Sequence, residues 1–245
     1  MGALFARTKP EEIQCVGVEN RLEPFWLVVA SSRTVYDRAR TYTVGVGGTE
    51  VKSVTVLGQD ITPTAQAKGA PTFALGAVEH CVQSHRTQQT FDGISGEKAD
   101  FLKYANAAKT DIADVNAFAP EGVLVVPPKV RATAVVRQVI AEVLQPVQQA
   151  QTIHEERVDL EAIELNFRPV YAFEYEWVGK NKKVVVEFDA VIGDLRTGGK
   201  KWGGQIKEIL TPDFLFDVTG DAVGLIVPGG GIAVKFVKAV VKRGK

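Results

Sequence analysis

Three histidines (His80, His85, His154) and two cysteines (Cys15, Cys81) are all that the 245 residues supply of those types, so the chemistry open to the chain is narrow. Cys81 and His85 stand four apart, and on a helix they would share a face, as paired metal ligands do. A zinc site takes three or four ligands, and no second Cys/His pair lies nearby. Neither a metal nor any other cofactor is expected. Cys81 and His154 are the right types for a nucleophile and its base, without a nucleophile motif around either. Glu174 and Glu176, with Glu187 and Asp189 downstream, offer carboxylates for acid–base work. The plainer reading is a solvated sheet face whose charge Lys180, Lys182 and Lys183 offset. The glycine runs Gly45-x-Gly47-Gly48 and Pro228-Gly229-Gly230-Gly231 are not phosphate loops. No helix pattern follows the first, and no Gly-Lys-Ser/Thr follows the second.

The carboxylates need an element to carry them, and residues 168–195 provide one. Tyr171, Phe173, Tyr175 and Trp177 alternate with Ala172, Glu174 and Glu176, which puts the rings on one strand face. Val184, Val186 and Phe188 alternate in the same way after Gly179-Lys180-Asn181, so an antiparallel hairpin is expected. Just upstream, Ala132, Val135, Val136, Val139, Ile140, Val143 and Leu144 recur at helical spacing between Pro128 and Pro146. That helix is expected to cover the aromatic row. Residues 13–61 read as strands, with a hairpin turning at Gly45–Gly48 and returning over 51–57. Residues 77–92 fit strand or helix, and a helix is expected over 97–109. The break at Pro127-Pro128 separates a β-rich domain, 1–126, from a helix-and-sheet module, 127–210. A Gly-hinged tail, 211–245, completes the chain.

Helix, strand, Pro169-Val170-Tyr171-Ala172-Phe173, then Val186-Glu187-Phe188-Asp189 and the Ile192-Gly193-Asp194 turn, together resemble a PepSY-type domain over residues 129–195. One extra residue separates Asp189 from the glycine, and Ile192 stands where that family usually has Thr. The resemblance implies a helix packed on a small antiparallel sheet, and roles in binding or restraining peptidases. An internal echo accompanies it. Phe91-Asp92-Gly93-Ile94-Ser95-Gly96-Glu97 matches Phe188 to Asp194, and Leu22-Glu23-Pro24-Phe25-Trp26 resembles Phe167 to Tyr171, the marks of a diverged duplication.

The expected fold class is therefore α+β: small antiparallel sheets with packed helices and a C-terminal helix. Lys plus Arg equals Asp plus Glu at 29 each, which argues against a nucleic-acid partner. No apolar run of signal-peptide length opens the chain, and Gly2 lacks the Ser or Thr of a myristoylation motif at position 6. A cytoplasmic protein with reduced thiols is expected. In the tail, Ile232, Ala233, Phe236, Val237, Val240 and Val241 mark one helical face and Lys235, Lys238 and Lys242 the other. Such a helix covers its own domain, docks on a partner or lies on an anionic membrane. The function expected is non-catalytic binding or self-assembly through sheet edges and this tail. The alternatives are a hydrolase built on Cys81/His154 or a carboxylate pair, and a peripheral membrane protein.

Overall fold

Strand outweighs helix by 58% to 9%, so the α+β arrangement with packed helices is replaced by a mostly antiparallel β architecture. The computed structural model of the chain describes residues 10–48, 50–104, 107–114, 118, 120–197 and 233–237. Its elements are β1 (Ile13–Gly45), β2 (Val54–Val56), β3 (Gln59–Ile61), β4 (Thr72–Asp92), β5 (Lys109–Asp111), β6 (Leu124–Val125), α1 (Ala132–Val143), β7 (Thr152–Trp177), β8 (Lys182–Asp189), β9 (Leu195–Thr197) and β10 (Ala233–Val237). The main sheet runs β4-β1-β7-β10-β5. In addition β6 pairs with β1, and β8 links β7 to β9.

Three strands are far longer than the sequence pattern suggests. Pro24 and Pro169 lie inside continuous strands, where each contributes only a carbonyl: Gly93 donates its N–H to Pro24, and Ala190 donates to Pro169. A proline whose missing donor is not needed by the ladder can sit there. The hairpin of β7 and β8 has the expected register, Val170 opposite Asp189 through Trp177 opposite Lys182.

The two turns that echo in sequence are built alike. Asp92 accepts the amides of Ile94 and Ser95 on one carboxylate oxygen, and Asp189 accepts those of Val191 and Ile192. Gly96 donates to the Asp92 carbonyl at 2.9 Å, as Gly193 does to that of Asp189, also at 2.9 Å. Both glycines hold positive φ, 75° and 77°, a conformation that costs glycine little. Beyond the turns Phe91 bridges Lys98, and Phe188 pairs with Leu195. The match extends to the parallel pairings, where Leu22 faces Val125 and Phe167 faces Phe236.

Several expectations are corrected. Residues 97–109 hold no α-helix, only a 3-10 turn at Leu102–Tyr104. Thr90 ties down the approach to it, accepting from the amides of Ala99 and Phe101 and donating its hydroxyl to Ala99. Phe101 and Tyr104 thereby close on Phe25, with ring centroids 4.9 and 5.5 Å away. The Gly45–Gly48 stretch does not fold back onto 51–57. Instead β2 and β3 form their own hairpin around Leu57 and Gly58, both at positive φ. The amphipathic C-terminal helix is overturned at Ala233–Val237, which is β10: it pairs parallel to β7 and antiparallel to β5. Of the interaction residues expected there, Lys235, Phe236 and Val237 belong to that strand, while Ile232, Lys238, Val240 and Lys242 lie outside the described residues.

Nor does α1 reach over the aromatic row. Its Glu142 bonds Gln89 and Lys98, and its Gln138 reaches the Gly96 carbonyl at 3.5 Å. Just before it, the Val130 carbonyl accepts from the Trp26 indole at 2.9 Å. The helix thus sits on the first turn. On the β7–β8 hairpin the buried side chains are Val170, Ala172 and Asp189, and the four rings are half-buried on the other face.

The chain divides into two units, each discontinuous in sequence. One comprises Met1–Ser31, Arg86–Val143 and Asp159–Lys245; the other comprises Ser32–His85 and Leu144–Val158.

Candidate functional site: an open strand edge

The first unit keeps its charges to itself. Arg21, 1% exposed, meets Glu23 at 2.7 Å and Glu187. Arg168, 4% exposed, bridges Glu23 at 2.5 Å and Asp189 at 2.7 Å, and Asp189 also accepts the Tyr104 hydroxyl. Burial, helped by the hydrogen bond to Asp189, holds the Tyr104 phenol above its ordinary value. Burial works against the Arg168 charge, but Glu23, Tyr104 and Asp189 outweigh it and raise its pKa. Glu23 and Arg168 precede the two equivalent prolines, so the network ties the two echoing segments together. Its polar groups are engaged with one another.

The second unit is different in kind. Its buried hydrophobic side chains are Tyr36, Val46 and Phe73, while Tyr42, Leu57, Val78, Val82 and Ile153 are large and exposed. Such a ribbon has too little apolar interior to be robust alone. Its surface is organised by charge instead. On one face of the β1–β4 pair, Glu79 accepts from Arg38 and Tyr42, with Arg40 at 3.8 Å. The hydrogen bonds from Tyr42 and then Arg38 hold the Glu79 carboxyl below its ordinary value. On the other face Asp37 lies between His80 Nδ1 at 2.7 Å and His154 Nε2 at 2.8 Å. The His154 bond, then the His80 bond, lowers the Asp37 pKa.

These contacts reveal the edge. The amide of Val46 donates to the Pro71 carbonyl, and that register, carried along the antiparallel pair, sets Asp37 opposite His80 and Arg38 opposite Glu79, in keeping with their side-chain contacts. The amide of Gln151 donates to the Asp37 carbonyl at 2.8 Å, so the backbone of Asp37 points away from β4. In an antiparallel pair the residue opposite then points its own N–H and C=O outward as well. His80, and with it Gly76, Val78, Val82 and Ser84, therefore offers its backbone to the open side of β4. Among the described residues, β4 has β1 as its sole partner strand. Natural edges are usually blunted by lysine, proline or bulges. Between Thr72 and His85 there is neither Lys, Arg nor Pro, and the one charge, Glu79, is engaged by Arg38. Val78 and Val82, 55% and 61% exposed, lie on the same strand face as His80.

The residues singled out for catalysis are not assembled. The Cys81 thiol donates to the Glu79 carbonyl at 3.7 Å, on the strand face opposite His80. His154 is engaged with Asp37. Glu174 and Glu176 lie 3.8 and 3.9 Å from Lys183, whereas Glu187 and Asp189 are held by Arg21 and Arg168. The four carboxylates are thus divided among three cations rather than gathered at one point. No group of three or more His, Cys, Asp or Glu among the described residues is placed to hold a metal, and no described helix is long and apolar enough to cross a membrane. Sequence reading missed Asp37 entirely. The signal available for it was weak, an acid in a strand with histidines distant in sequence.

No protein-family model, curated protein or solved structure matches the chain, so no role is carried over to it from a relative.

Proposed function

We propose that this chain is a non-catalytic assembly protein that binds another polypeptide by strand addition along β4. The observation that carries this reading is the outward-facing backbone from Gly76 to Ser84, which has no lysine, arginine or proline to protect it and whose one charge, Glu79, is engaged by Arg38. Main-chain hydrogen bonds would supply the affinity, and Val78 and Val82 would supply apolar contact for alternate side chains of the incoming strand. The residues from Ala74 to His85 give about 40 Å of edge, enough for a continuous ladder.

Val78→Pro provides the test. The Val78 N–H points outward, so proline there removes a donor from the open edge while sparing the β1–β4 ladder. Sedimentation velocity over a hundredfold concentration range is expected to show association of the intact chain and its loss in Val78→Pro, with circular dichroism unchanged. Association that persists unaltered in Val78→Pro would refute strand addition at this edge.

A further inference from the structure

We infer that the strand received by β4 comes from a second copy of this chain, paired antiparallel about a two-fold axis at His80. This rests on the reading of β4 as an open edge and adds the identity and register of the occupant.

The argument is the self-complementarity of the strand. In a symmetric antiparallel pair, a residue n places before the centre faces the residue n places after it on the other copy. Val78 and Val82 stand equally far on either side of His80, so each valine faces the other valine of the partner copy. The exposed apolar surface of both strands is then covered by like surface. Gly76 faces Ser84, Ala77 faces Gln83 and Glu79 faces Cys81, so no two carboxylates meet. Neighbouring registers fail. A centre at Glu79 sets two carboxylates against each other, and one at Cys81 sets Val78 against Ser84. His80 meets its own counterpart, and each imidazole keeps its Asp37 at 2.7 Å. The chain already contains a related arrangement, since its echoing strands β1 and β7 are neighbours in the sheet.

Disulfide trapping reads the register directly. Opposed residues of an antiparallel pair have Cα atoms about 4.5–5.5 Å apart, within the range a disulfide spans, whereas residues four places out of register are more than 10 Å apart. In a full-length Cys15→Ser/Cys81→Ser background, His80→Cys is expected to convert to a covalent dimer on mild oxidation. Val78→Cys alone and Val82→Cys alone are expected to stay monomeric on a non-reducing gel, and their equimolar mixture is expected to cross-link. Circular dichroism of each variant checks folding.

A dimer abolished by Val78→Pro but trapped by Val78→Cys alone would overturn the register and leave the edge reading standing. A chain monomeric at every concentration, whose β4 edge is protected only by a different protein, would overturn the second copy and again leave the edge. A dimer indifferent to Val78→Pro would overturn both.

Discussion

Arg168 has two carboxylates to satisfy, Glu23 at 2.5 Å and Asp189 at 2.7 Å, and at 4% exposure almost no water to assist. Removing one member of a buried ion network strands the others, at a cost of about 3–5 kcal/mol. Arg168→Leu is therefore expected to lose about that much stability in urea unfolding. Arg168→Lys should lose a substantial part of it, because an ammonium cannot reproduce the planar fork that reaches both acids. A loss no larger than that of a surface exchange would show that the network is not under strain of charge. Asp37 gives a prediction of opposite character. Its pKa in the folded chain lies below 3.8 because His154 and His80 bond the carboxylate. The stabilisation is present above the unfolded value and is lost as pH falls through the lowered folded value. The stability gap between the intact chain and Asp37→Asn should accordingly close as the pH falls below about 4. A gap that widens in acid would contradict the assignment.

At the scale of elements, the two turns make a controlled comparison. Gly96 and Gly193 share a positive φ, but a Cβ on Gly96 would lie 3.1 Å from Val130 Cγ2, while one on Gly193 meets open space. Exchange to Ala strains both turns, and Gly96→Ala is expected to lower the melting temperature further. Equal effects would remove Val130 as a packing neighbour of that turn. The ladder of β4 makes a second comparison: Ala77→Pro removes an inward donor and should unfold the ribbon more readily than Val78→Pro. The hairpin of β7 and β8 and the helix α1 were legible because each has one dominant period and clear stops. The long strands were not, because Pro24 and Pro169 look like boundaries until the partner of each carbonyl is known. Residues 97–109 looked helical because the hydroxyl of Thr90, seven residues before Glu97, leaves no trace in their own periodicity. Ala233–Val237 was ambiguous in itself: Val234 and Phe236 alternate with Lys235, yet the valines and lysines around them also recur at helical steps. Pairing to β7 and β5 decides between the two periods.

For the whole molecule, the contrast between the units is the informative feature. One is closed by buried rings and buried ion pairs, and the other carries exposed valines on a strand with no second partner strand among the described residues. The sequence already pointed to sheet edges as binding surfaces, but it placed the emphasis on the tail; it could not show that residues 77–83 form an edge, since edge and interior strands have the same alternation. Hydrogen–deuterium exchange of the backbone amides of Val78, His80 and Val82 tests the assembly reading most directly. The inward amides of Glu79 and Cys81 serve as the internal reference. At high protein concentration the outward amides are expected to be protected nearly as well as the inward ones, and to lose that protection on dilution and in Val78→Pro. Rapid exchange of the outward amides at every concentration, with the inward amides protected throughout, would contradict it.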